Sequence, residues 1–284
     1  MIRIKLCAFS DEADASLAGQ IEALKRNNVP YMEMRNVNGK NVTELTLEEA
    51  KEVKATLDAN GIKVWSIGSP IGKVDINTDF EEYLKLVKHT CELANILGAG
   101  RIRMFSFFNA YEEREKVLKY LNIMAETAAS YGVTLCHENE KDIYGDTKER
   151  VLDIMENTKG LKFIYDPANY LQCGEKADDT LDMFHAKTEY FHIKDVVTSS
   201  GALVPAGKGD GKIPELVARI TEDKTLTLEP HLAVFEGYSH IDKTVMKHEY
   251  AFKTAGEAFD TAVSCMKAIL TDAGYQEIGD EFVK

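Results

Sequence analysis

The 284-residue chain lacks paired cysteines: its five Cys stand at 7, 91, 136, 173 and 265, with no C-x-x-C among them. An odd, scattered set argues against a disulfide framework and against a Cys-type zinc site, and fits reduced thiols in a cytoplasm. No run reaches the ~18 apolar residues of a membrane helix, so no membrane partner is expected. The opening, Met1-Ile2-Arg3-Ile4-Lys5-Leu6, alternates charge with apolar residues. A signal peptide needs an unbroken apolar stretch, so this segment reads as a strand. Basic residues are in deficit, 34 Lys plus Arg against 47 Asp plus Glu, for a net charge of −13. Phosphate contacts need clustered Lys and Arg, so nucleic acid is not an expected partner. No linker rich in Pro, Gly or Ser divides the chain.

What is present is globular: 44% hydrophobic and 29% charged residues. Short apolar runs at 2–9, 30–35, 62–68, 101–107, 133–138, 161–166, 189–194 and 225–230 read as strands covered on both faces. Amphipathic patterns lie between them, at 14–27, 46–59, 79–97, 112–130, 147–157, 177–185, 213–221 and 250–270. Thr46 with Glu49 has capping-box spacing, and Gly61, Gly98, Gly132 and Gly160 act as stop signals. Strand then helix, eight times, predicts an α/β fold, a single-domain (β/α)8 TIM barrel over residues 1–270, with a polar C-terminal tail at 271–284. A doubly wound sheet would show a Gly-rich turn after its first strand; here that strand runs into Ser10-Asp11-Glu12.

Active sites of such barrels form where strands end and βα loops begin. The fifth to eighth strands end in Glu138, Asp166, His192 and Glu229, spaced by 28, 26 and 37 residues, about one βα unit each. A single carboxylate at a strand end is an ordinary helix cap or loop charge. Four ionisable groups in register on adjacent strands are not. Three carboxylates together repel and raise one another's pKa unless a cation joins them. Oxygen-rich donors with one imidazole suit Mn²⁺ or Mg²⁺, with Co²⁺ or Zn²⁺ as alternatives.

The segments HENE (137–140), YDPAN (165–169), HIKD (192–195), GKGDG (207–211) and LEPHL (228–232) resemble those of the xylose isomerase-like TIM barrel superfamily. The branch is that of sugar (phosphate) isomerases and epimerases, which includes ketose 3-epimerases. The resemblance covers nearly the whole chain. It implies that Glu138, Asp166, His192 and Glu229 bind one divalent metal ion, Mn first. It implies further that Glu138 and Glu229 are the catalytic pair that moves the proton. The expected enzyme is a metal-dependent isomerase or epimerase of a ketose-type sugar or derivative, working through a metal-stabilised enediolate. The alternative is a metal-dependent lyase or dehydratase on a keto sugar or keto-cyclitol, which shares the enolate. An endonuclease of the same barrel needs more His ligands and a basic face, which seven His and the acidic charge do not supply. A non-catalytic binding barrel would bind no metal. Related barrels pair into dimers or tetramers, which admits a homo-oligomer by analogy.

Four further residues are candidates for contact with a carbohydrate substrate: Lys194, His231, Glu33 and Asn169. Three of them have a plainer reading, and His231 could instead orient a Glu. Lys194 could pair with Asp195 or Glu140, Glu33 could join an internal ion pair, and Asn169 could cap the following helix. His137 points away from the ligands in a regular strand. Trp65, Phe107, Phe108, Phe235 and Tyr238 stand near strand ends or in the long last loop, where aromatics stack on sugars or simply fill the core. GKGDG lacks phosphate-loop spacing and reads as a turn. Two positions depart from the ketose epimerase pattern: Asn169 replaces a His and Thr198 an Arg, both of which grip substrate in that family.

Overall fold

The computed structural model describes residues 1–234, 247 and 249–284. Its barrel strands are β1 (Arg3–Ala8), β2 (Tyr31–Met34), β3 (Lys63–Ile67), β4 (Arg101–Met104), β5 (Thr134–Glu138), β6 (Lys162–Tyr165), β7 (Tyr190–Ile193) and β8 (Lys224–Leu228). Each runs parallel to the next. β8 pairs with β1 from Lys224–Ile4 to Leu228–Ala8, which closes the expected (β/α)8 barrel.

The helices are α1 (Leu17–Arg26), α2 (Leu47–Ala59), α3 (Phe80–Leu97), α4 (Arg114–Ser130), α5 (Lys148–Asn157), α6 (Pro167–Gln172), α7 (Ala177–Phe184), α8 (Ile213–Ala218) and α9 (Ala255–Asp272). Local chemistry sets their ends. Thr46 and Glu49 form the predicted capping box of α2. Asp79 caps α3 by accepting from the Glu81 and Glu82 amides, and Gly98 ends it in the left-handed region at φ +80°. Among the described residues, no helix is long and apolar enough to cross a membrane.

Strand side chains alternate between the helix layer and the barrel interior. On β5, Leu135 joins the main core under the helices, while Cys136 points inward with Ile164, Tyr190 and Trp65 to make an apolar plug. Residues two places further along β5, β6 and β7 therefore face the space above that plug. Those residues are Glu138, Asp166 and His192.

The last residues are more ordered than a polar tail. α9 runs to Asp272, past the expected boundary at 270, and a hairpin of Gln276–Ile278 and Glu281–Val283 follows. β2 meets β1 only at Cys7 and Ala8, which leaves the edge of Arg3 and Ile4 open. Val283 and Phe282 fill it by antiparallel pairing, and buried Tyr275 and Phe282 anchor the hairpin. Phe235 and Tyr238 lie outside the described residues.

Candidate metal centre

Glu138 closes β5, Asp166 follows β6, His192 is the third residue of β7, and Glu229 follows β8. One ligand atom from each lies within 4.8 Å of the others, and all four side chains are buried. His192 Nδ1 lies 2.8 Å from Glu138 Oε1 and 3.2 Å from Glu229 Oε2. Asp166 caps α6: its Oδ1 accepts from the Asn169 amide at 3.0 Å, with Pro167 in the first turn. Asn139 clamps β5 to β6 by bonding both the amide and the carbonyl of Asp166, each at 2.9 Å. Sequence reasoning did not single out that clamp.

The remaining donor atoms fit a cation. Asp166 Oδ2 and Glu229 Oε2 are buried and accept no well-formed hydrogen bond. Both face the Lys194 ammonium, at 2.9 and 3.9 Å. Burial raises the Asp166 carboxyl to about 7 against the pull of Lys194, with Glu138 and Glu229 pushing the same way as burial. Burial also raises the Glu229 carboxyl, but Lys194, His192 and His231 outweigh it and hold it well below the usual range. Three carboxylates with one imidazole form a donor set that suits a divalent ion of hard or borderline character.

Two buried arginines, Arg35 and Arg103, flank this centre. Arg103 Nη1 reaches Glu138 Oε2 at 3.2 Å and Glu229 Oε1 at 3.4 Å. Arg35 binds Asp11 through two nitrogens, Glu12 at 3.3 Å and Glu229 at 3.0 Å. Phe9 lies under both guanidinium groups, 4.4 Å from Arg35 Cζ and 4.8 Å from Arg103 Cζ. Glu12, Glu229 and His231 also converge, but the Arg35 guanidinium already sits among them as the local cation. Burial pushes the Glu12 carboxyl up to about 8 despite Arg35. Asp11, Arg35, Asn36, Lys73, Arg103 and Phe105 line a cleft of about 420 Å³ that borders the centre.

The structure separates the other candidates. Lys194 pairs with Asp166, not with the expected Asp195 or Glu140; Glu140 is taken by Lys73 at 3.0 Å. His231 has a left-handed backbone (φ +47°) and lies 3.6 Å from Glu229 Oε1. Asn169 does not cap α6, because Asp166 does; its side-chain amide donates to the Asn139 carbonyl at 2.9 Å and lies 3.4 Å from Glu138 Oε1. Glu33 is not placed as a substrate acceptor: its oxygens meet Tyr190, His192 and Ser66 in the buried interior. The internal ion-pair contact it makes is with His192, at 3.2 Å. Thr198 bonds Asp210 at the rim. His137 faces outward as expected, next to Phe163, and burial pushes its imidazole down to about 3. Trp65 packs on Tyr190 in the plug, and Phe107 packs on Tyr120.

The GKGDG loop has an anion, and it is the chain's own. The amides of Gly207, Gly209 and Gly211 all donate to the Asp195 carboxylate, at 2.9, 3.0 and 2.8 Å. A Cβ on Gly209 would collide with that carboxylate and with the Val196 carbonyl, so this close approach requires glycine.

No curated protein matches the chain in sequence. Solved structures share its fold. The IolI protein with a bound zinc atom is 17% identical, with 95% of this chain and 99% of that one covered at a TM-score of 0.72. D-psicose 3-epimerase in the presence of D-fructose is 15% identical, with 95% and 99% covered at 0.72. The probable 3-DHS dehydratase AsbF of Bacillus anthracis is 15% identical, with 94% and 99% covered at 0.68. A family model matches residues 21–243, and the chain belongs to the family it describes, the xylose isomerase-like TIM barrel.

Proposed function

We propose that the protein is a divalent-metal-dependent isomerase or epimerase of a ketose-type sugar or sugar derivative. One observation carries this reading: Glu138, Asp166, His192 and Glu229 converge at the C-terminal ends of adjacent strands, with one ligand atom from each within 4.8 Å of the others. When bound, a divalent ion, Mn²⁺ before Mg²⁺, Co²⁺ or Zn²⁺, draws charge from the ketone oxygen and so eases loss of the neighbouring proton. Glu138 and Glu229 stand on strands three apart and approach from different sides. One removes the proton beside the carbonyl and the other returns it. Arg103 bonds both and Arg35 bonds Glu229, so their oxygens are held in fixed directions. Lys194, His231 and Asn169, which touch Asp166, Glu229 and Glu138, orient substrate oxygens. Burial away from solvent strengthens each of these contacts.

The fold is shared with an epimerase and with a probable dehydratase, and the same proton removal can precede loss of water. The test is a screen of the Mn²⁺-reconstituted protein over ketoses, keto-cyclitols and oxidised sugars by NMR in D₂O. Deuterium entering beside the carbonyl without loss of water is the expected result. Loss of water would replace isomerisation by a lyase reaction. Absence of any metal binding would remove the reading.

A further inference from the structure

We infer that Glu33 is a positioning residue of the metal centre, holding the His192 imidazole so that Nδ1 faces the three carboxylates. The inference rests on the metal reading above. Glu33 Oε2 lies 3.2 Å from His192 Nε2, and both side chains are fully buried. On the far side of the ring, Nδ1 lies 2.8 Å from Glu138 Oε1 and 3.2 Å from Glu229 Oε2. A neutral imidazole carries one N–H. A carboxylate at Nε2 accepts that proton's hydrogen bond, so the Nδ1 lone pair is left for the cation. The same hydrogen bond makes the ring a stronger donor, a role that carboxylates behind ligating imidazoles commonly serve.

Glu33 is itself built into place. The Tyr190 hydroxyl donates to its Oε1 at 2.9 Å, and the Ser66 hydroxyl lies 3.5 Å from the same oxygen. The β2–β3 register slips between Met32 and Glu33, which brings Glu33 opposite Ser66. Such a bulge re-aims a side chain at a cost in strand pairing. Phe9 and Tyr190 meet the His192 ring edge-on, at centroid distances of 5.2 and 5.5 Å, so the imidazole has little room to turn. Tyr190 and His192 are two apart on β7 and face the same interior.

The experiment measures Co²⁺ affinity of the full chain by competition with a chromophoric chelator. It is paired with proton NMR of the Co²⁺-loaded protein. Wild type should show one shifted, slowly exchanging imidazole N–H. Glu33→Gln, which keeps shape and removes charge, should weaken Co²⁺ binding about 10- to 100-fold and speed exchange of that proton. Tyr190→Phe, which removes one donor to Glu33 and keeps its charge, should weaken binding less. It also serves if the Gln variant does not fold. A purely structural role would lower the thermal midpoint of the metal-free protein and leave Co²⁺ affinity unchanged. Unchanged affinity in Glu33→Gln, or a larger loss in Tyr190→Phe, overturns the inference while the metal reading stands. Wild type that binds no Co²⁺ overturns both.

Discussion

Replacing His137 by Leu should flatten the acid dependence of stability. His137 is fully buried beside Phe163, and neither ring nitrogen has a hydrogen-bond partner among the described residues. Burial alone pushes its pKa from 6.5 down to about 3. Below pH 6.5 the unfolded chain takes up a proton at this position, while the folded chain stays neutral until about pH 3. Stability is therefore fully present above 6.5 and is lost as pH falls toward 3. Between pH 7.5 and 5.0 the loss from this one group amounts to about 2 kcal/mol. Guanidinium unfolding at both pH values, for wild type and His137→Leu, isolates it, because the other titrating groups are common to both proteins. The fall in stability from pH 7.5 to 5.0 should be about 2 kcal/mol smaller in the variant. Equal falls would show that the folded protein protonates His137 as readily as the unfolded chain does.

Glu138→Gln and Glu229→Gln should each abolish turnover, with circular dichroism and cooperative unfolding retained; near-normal turnover in either would remove the proton-transfer pair. Free Mn²⁺ at about 1,000 times its Kd should add about 4 kcal/mol of stability. For a chain of this length that is a rise of about 7 °C in Tm, reversed by EDTA in a calorimetric scan. A Tm indifferent to both additions would contradict the centre. Asp195→Ala deprives four amides, those of Val196, Gly207, Gly209 and Gly211, of their acceptor. It should cost about 3 kcal/mol, seen as a Tm about 5 °C lower; an unchanged Tm would mean that the loop does not depend on the carboxylate.

The barrel and the convergence of the four candidate residues were legible because their signals are local. Thr46 and Glu49 sit three apart and cap one helix. Each of the four candidates stands at or near the end of a short apolar run, so its level in the barrel follows from counting along the strand. The surrounding charges were not legible in the same way. Arg35 is visible as a charge at a strand end, but its partners Asp11 and Glu229 are 24 and 194 residues away. Glu33 and Arg35 lie two apart yet reach different partners, His192 for one and Glu229 for the other. Asn169 has the spacing of a capping residue, but Asp166, in front of Pro167, supplies the cap itself. In 271–284 the composition is polar, and only closure around Phe282 and Tyr275 reveals an ordered hairpin.

The hairpin bears on the order of assembly. β1 precedes the other barrel strands in the chain, yet it pairs with β8 at residues 224–228 and with the hairpin at Phe282 and Val283. Loop-closure entropy makes such distant contacts slow to form. During synthesis this strand must wait for residues about 220 to 280 positions downstream before both its edges are covered. Until then that strand is an open template, and its alternating Arg3 and Lys5 charges, set against Glu281 in the finished barrel, are its protection from pairing with another copy.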